Sequence, residues 1–172
     1  TLAVHGVQLS DIELGLLAAR GATLVTCPRS NVHVGVGAPP VAPVVGSFGA
    51  DTSAAVIVAA GTTLDVFRAN GTLRATATLP GTVVGDPALG DLDGDHVDEI
   101  VLALGGPDAI AAFDSALVMK SGWPRALEAP SRGVPLIGAL DNFSFTDDVA
   151  IAVGDGYQAF DSGARLLPQF PK

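Results

Sequence analysis

The sequence predicts a mainly β protein: three four-stranded blades of propeller type over residues 41–172, preceded by a short β-α-β element over 1–40. Three observations predict it. A lead-in of proline, two apolar residues and glycine occurs three times, as Pro43-Val44-Val45-Gly46, Pro87-Ala88-Leu89-Gly90 and Pro135-Leu136-Ile137-Gly138. Each lead-in is followed by a short loop, an apolar strand and a Phe-centred strand, and the spacing of 44 and then 48 residues falls within reach of propeller blades and exceeds that of leucine-rich or ankyrin units. Aromatics make up only 5% of the chain while Ala, Val and Gly abound, which favours many short strands packed through small and β-branched side chains. Before Val41 the hydrophobic period changes, so the first 40 residues follow another rule.

In that first segment Thr1 to Val7 reads as a buried strand. Ser10-Asp11-Ile12-Glu13 then has the form of a capping box, with Ser10 able to cap a helix and Glu13 able to reach back. Leu14, Leu16, Leu17 and Ala18 supply an apolar face, and Arg20-Gly21 provides a stop. Ala22 to Cys27 forms a second strand. A strand-helix-strand unit this short implies parallel pairing across a right-handed crossover.

The blades are expected at 41–82, 83–130 and 131–172. The first two copies align without a gap from the lead-in through Val56-Ile57-Val58 and Ile100-Val101-Leu102, and the third needs one extra residue before Val149. Phe67, Phe113 and Phe160 recur at one register and are expected to pack between blades, while Asp114 and Asp161, each followed by Ser, read as turn residues. Each unit closes on an apolar-Pro pair: Leu79-Pro80, Trp123-Pro124 and Phe170-Pro171. Three blades are fewer than the four to eight that close a propeller, so apolar blade faces should be left for self-association or for completion by additional polypeptide.

Charge and length exclude several roles. Eighteen acidic against nine basic residues give a net charge of -9, which argues against binding nucleic acid or an anionic membrane surface. No run of eighteen apolar residues occurs, so membrane insertion through a helix is not expected. The single Cys27 excludes an intrachain disulfide and a cysteine-rich zinc site.

The loop of the middle copy carries the chemistry. In Asp91-Leu92-Asp93-Gly94-Asp95-His96-Val97-Asp98-Glu99, the carboxylates of Asp91, Asp93 and Asp95 stand at positions one, three and five. The Val97 carbonyl would serve at seven and the Glu99 carboxylate at nine. Calcium takes six to eight oxygens and tolerates irregular geometry, whereas magnesium demands a stricter octahedron. Four carboxylates drawn together repel unless a cation lies among them. One calcium ion is therefore expected on Asp91, Asp93, Asp95, Val97 and Glu99, with Gly94 curving the loop and Asp98 pointing to solvent. The first copy keeps one carboxylate, Asp51, in the matching positions; the third offers Asp141 and either Asp147 or Asp148.

This loop, with Pro87-Ala88-Leu89-Gly90 before it and Ile100-Val101 after it, resembles the calcium loop of FG-GAP repeats, the blades of integrin-α-like β-propellers. Gly122-Trp123-Pro124 and Gln169-Phe170-Pro171 are similar to blade ends of bacterial secreted propellers of this kind. The resemblance implies an extracellular or cell-surface, non-enzymatic module that binds or scaffolds a protein or carbohydrate partner. His96 departs from it, since glycine is usual there; a positive φ at that position would strain His less than most residues.

Residues 1–40 resemble a different family. His5-Gly6-Val7-Gln8-Leu9-Ser10-Asp11, Leu16-Leu17-Ala18, Gly21-Ala22 and Cys27-Pro28-Arg29-Ser30-Asn31 with Gly35-Val36-Gly37-Ala38-Pro39-Pro40 are similar to part of the metal-dependent amidohydrolase barrel of deaminases and chlorohydrolases. The resemblance implies that His5 stands at a barrel strand end, near substrate or metal-bound water, and it supplies the alternative function: a fragment or appendage of a C–N hydrolase. Such a barrel needs about 250 residues, and catalytic zinc needs about three converging protein ligands. The family's other metal ligands have no counterpart here, and the remaining histidines, His33 and His96, lie elsewhere. Zinc, and catalysis by this chain alone, are therefore not expected.

Overall fold

The structure is a computed structural model that describes residues 2–4, 10–21, 23–25, 42–49, 54–140 and 146–168. The chain divides into two compact units, Thr1–Ala42 and Pro43–Lys172.

In the first unit β1 (Leu2–Val4) pairs in parallel with β2 (Thr23–Val25). The helix α1 (Asp11–Ala19) runs between them in sequence and starts where the capping box puts it. Ser10 donates from Oγ and from its N–H to Glu13 Oε2 at 2.7 and 2.9 Å, and the Glu13 N–H donates to Ser10 Oγ at 3.4 Å. These reciprocal bonds satisfy donors that have no partner inside a helix. The Ser10 N–H first, and its hydroxyl second, hold the Glu13 carboxyl below the usual range. Gly21 follows the helix at a φ of 61°, a left-handed stop. Leu16, expected on the packed face, is instead 54% exposed, whereas Leu17 is half-buried; neighbours on a helix point about 100° apart and cannot share a narrow stripe. His5 and the Cys27 to Pro40 segment lie outside the described residues.

The second unit holds three sheets. The first has the order β3 (Ala42–Ser47), β4 (Ala54–Ala60), β5 (Thr63–Arg68) and β6 (Leu73–Thr78). The central sheet runs β7 (Thr82–Gly90), β8 (Glu99–Gly105), β9 (Ala109–Phe113) and β10 (Arg125–Ala126). The third consists of β11 (Leu136–Gly138), β12 (Asp148–Val153) and β13 (Gly156–Phe160). Each lead-in thus ends a first strand, the apolar run forms the second and the Phe segment the third. The register repeats as well: Val56 faces Phe67, Ile100 faces Phe113 and Val149 faces Phe160.

The expectation of three four-stranded blades needs correction in the third, which has three strands among the described residues. The outer strand of the central sheet is two residues long, and the counterpart of its Arg125, at the 47-residue spacing from Phe113 to Phe160, is Lys172, outside the described residues. No ring is closed among the described residues.

The sheets stack face to face in chain order around two cores. One joins Ala55, Ile57, Leu64 and Val66 of the first sheet to Ile100, Leu102, Ala111 and Phe113 of the central one. The other joins Leu92, Val101, Ala103, Ile110 and Trp123 to Val149, Ile151 and Phe160. Successive residues of a strand point to opposite faces, so β8 feeds both cores and is buried from Glu99 to Leu104. Phe67 differs from its two counterparts: it lies on the outer face of the first sheet and is only half-buried, because no described sheet lies against it. Asp114 and Asp161 are turn residues as expected. Asp114 Oδ1 accepts the N–H groups of Ala116 and Val118, both at 2.9 Å, and Asp161 Oδ1 accepts that of Arg165 at 2.8 Å.

Candidate metal loop of the central sheet

The loop between β7 and β8 is shaped by its own carboxylates. Asp91 Oδ1 accepts the N–H of Gly94 at 2.7 Å and of Asp95 at 3.1 Å, and Oδ2 accepts that of His96 at 2.9 Å. Asp93 Oδ1 accepts the Asp95 N–H at 3.3 Å, and Asp95 Oδ1 accepts the Val97 N–H at 2.8 Å. Acidic side chains at alternate positions thereby curl the backbone through Asx-type bonds. Two residues turn left-handed: Gly94 at a φ of 80° and His96 at 67°. The position that resembles a glycine site does require the positive φ.

Glu99 closes the loop. Its Oε2 accepts the Leu92 N–H at 2.8 Å, with Glu99 2% exposed and Leu92 wholly buried in the second core. The third copy repeats this staple with a shorter acid, since Asp148 Oδ2 accepts the Leu140 N–H at 2.9 Å. Asp148, rather than Asp147, therefore takes the place of Glu99. Asp147 does another job, donating its N–H to the Asp91 carbonyl at 3.1 Å and tying the two loops together.

One carboxylate oxygen each from Asp91, Asp93 and Glu99 gather within 4.8 Å of one another. Asp95 stands outside that group with an exposed side chain that accepts from Val97. Asp98, expected to point to solvent, is half-buried; burial, and then the charges of Asp91 and Asp147, push its carboxyl above the usual range. Asp51 and Asp141, the flanking copies' candidates, lie outside the described residues.

Sequence reasoning missed Lys120. Its Nζ lies 2.5 Å from Asp93 Oδ2 and 3.1 Å from Glu99 Oε1, with only 15% of its side chain exposed. Burial opposes its charge, but the hydrogen bonds to Asp93 and Glu99 outweigh it and raise its pKa. The same bond is the main cause of the lowered Asp93 pKa. Burial pushes Glu99 upward, against the pull of the Leu92 N–H and Lys120. A signal for Lys120 does exist in the repeat: seven residues beyond Phe113 stands Lys120, and seven beyond Phe160 stands Leu167. Both donate a backbone N–H to matching carbonyls, of Ala112 and Ala159. The first copy also has a cation at this spacing, Arg74 seven beyond Phe67, but its guanidinium donates to the Phe48 carbonyl at 2.6 Å. Among the described residues only the central copy sets gathered acids against it.

The oxygen donors suit a hard cation in kind, and the group contains no His or Cys. Lys120 is a competitor for two of the three carboxylates.

No protein-family model matches the chain, and no curated protein matches it. Among solved structures, the chain is similar to the N-terminal β-propeller of BBS1, crystallised in complex with ARL6 and soaked with mercury. The TM-score is 0.57 at 17% identity, over 77% of this chain and 39% of that one. A weaker likeness, with a TM-score of 0.37 at 12% identity over 73% of this chain and 27% of the other, is to the Vibrio cholerae biofilm matrix protein Bap1. The chain thus spans well under half the length of the structures it matches. The likeness to BBS1 supports a β-propeller-like fold of antiparallel sheets; neither the FG-GAP nor the amidohydrolase family is shown.

Proposed function

We propose that this protein is a binding or scaffolding module of propeller type, non-enzymatic and extracellular or at the cell surface, whose central loop takes one calcium ion. The observation that carries the reading is the stack of three repeat-matched sheets, a fold shared with the BBS1 domain, whose crystal structure is that of a protein complex. A protein partner is the corresponding expectation for this chain, with carbohydrate as the other ligand class that the sequence supports.

For calcium, the supporting observation is the meeting of Asp91, Asp93 and Glu99 within 4.8 Å. Bound calcium would neutralise these carboxylates and link folding stability to ion concentration. Asp91 and Asp93 would hold it while keeping the backbone bonds that shape the loop. Glu99 would share one oxygen and keep the other on the Leu92 N–H. Lys120 would have to leave Asp93 and Glu99, so affinity is expected to be modest. A calcium titration followed by thermal melting tests the reading. The midpoint should rise with millimolar calcium and fall with chelator, and Asp91→Asn together with Asp93→Asn should abolish the response. An unresponsive wild-type midpoint would sink the calcium part.

A further inference from the structure

The repeat contains a knob and a hole that fit sheet to sheet. A Cβ placed on Gly46, in the first sheet, would come within 2.4 Å of Leu89 Cδ1 in the central sheet. One placed on Gly90, in the central sheet, would come within 2.3 Å of Ile137 Cγ2 and 3.1 Å of Ile137 Cβ in the third. Each lead-in glycine is therefore a hole filled by the residue that precedes the glycine of the next sheet. The series leaves two members over. Gly138 of the third sheet would meet nothing within 4 Å among the described residues, and Val45, the knob of the first sheet, is 68% exposed.

The outer faces around them repeat the series. Leu140, Ala150, Ala152 and Tyr157 on the outer face of the third sheet hold the places of Leu92, Val101, Ala103 and Ile110, which in the central sheet are buried beneath the third. With Val134 and Leu136 they line an apolar depression of about 460 Å³. On the first sheet Val45, Val56 and Phe67 hold the places of Leu89, Ile100 and Phe113, which in the central sheet pack against the first. One end of the stack is thus shaped like a following sheet's seat, and the other end is shaped like that following sheet.

We infer that a second copy of this chain covers the exposed face, with Val45 of one copy seated over Gly138 of the other and the first sheet laid on the third. This deepens the reading of the sheets as successive blades. A second copy is the occupant because both halves of the contact are present on one chain and unfilled among the described residues, and because two copies supply six sheets, within the four to eight of closed propellers. A head-to-tail contact made twice closes a two-fold ring. Asp65, where the central sheet has Ala111, puts a carboxylate beside this face, so the contact is expected to be weaker than the two within the chain.

Light scattering after size exclusion, over a concentration series, tests this on the full chain. Wild type should approach twice the monomer mass of 17.2 kDa. Gly138→Leu should remain monomeric while keeping the circular dichroism and melting midpoint of dilute wild type. A second measurement places the contact: Val45→Cys with Gly138→Cys, in a Cys27→Ser background, should form an intermolecular disulfide under mild oxidation, since the matching pair Gly90 and Ile137 brings Cβ positions to 3.1 Å. A wild-type monomer at every concentration overturns the inference, as does a dimer that Gly138→Leu leaves intact or that fails to form the disulfide. A monomer whose midpoint still rises with calcium would overturn this contact while leaving the calcium reading standing.

Discussion

The central sheet and the third sheet share a register, a lead-in and a stapled loop, yet one is buried on both faces and the other on one. Ile100, Leu102 and Leu104 face the first core while Val101 and Ala103 face the second. In the third sheet Val149, Ile151 and Val153 are buried, while Ala150 is half-exposed and Ala152 exposed. The repeat prepares both faces of every sheet, and neighbours decide which of them leave water. A strand of this kind gains most of its stability from what lies against it rather than from its own pairing.

The largest expected effect breaks that comparison at its centre. Leu102 has no exposed surface, and Leu102→Ala should cost about 2–5 kcal/mol, read from the urea midpoint. Leu136, 71% exposed on the outer face of the third sheet, should tolerate the same change within about 0.5 kcal/mol at concentrations where the chain is monomeric. Similar losses at both sites would mean that the third sheet's face is already covered. The next effect concerns the lead-in glycines. Gly90→Ala drives a methyl group into Ile137 and should cost about 1–3 kcal/mol, whereas Gly138→Ala should leave monomer stability unchanged. Shortening the knob by Ile137→Ala should recover part of the Gly90→Ala loss, and additivity in that double mutant would count against the knob-and-hole contact.

Much of this is legible in the sequence. The capping box of Ser10 and Glu13 and the turns at Asp114 and Asp161 are local, and local chemistry reads directly from spacing; the positive φ at His96 is implied only by the resemblance of its position to a glycine site. The recurrence of a lead-in, an apolar strand and a Phe strand in each sheet reads from the repeat. Harder to read was anything set by a residue distant in sequence. Phe67 matches Phe113 in register but not in burial, because the difference lies in a neighbouring sheet. Alternation along the loop points Asp98 to solvent, whereas the fold half-buries it near the charges of Asp91 and Asp147. Lys120 reaches Asp93 across 27 residues and belongs to no acidic pattern; only comparison with Arg74 and Leu167, at the same spacing from the repeat's Phe, marks it.

The two stapled loops give the smallest and most specific contrast. Glu99 and Asp148 accept the same backbone N–H, from Leu92 and Leu140, so an acid at this place is structural in both copies. What the central loop adds is Asp91, Asp93 and Lys120, with Lys120 supplying the cation that Asp93 and the buried Glu99 face. Lys120→Met should therefore cost stability in chelator, on the order of 1–3 kcal/mol, because Glu99 keeps a buried oxygen with no charged partner. It should also vacate the space in which calcium meets the same oxygens. Calcium should restore the Lys120→Met loss, and the calcium concentration for half-maximal stabilisation should fall below that of wild type. The reverse exchange, Leu167→Lys, should leave the third loop indifferent to calcium. If Lys120→Met is destabilised and calcium does not restore it, the lysine is the permanent counter-ion of a loop that shares the spacing of a calcium site but not its ion.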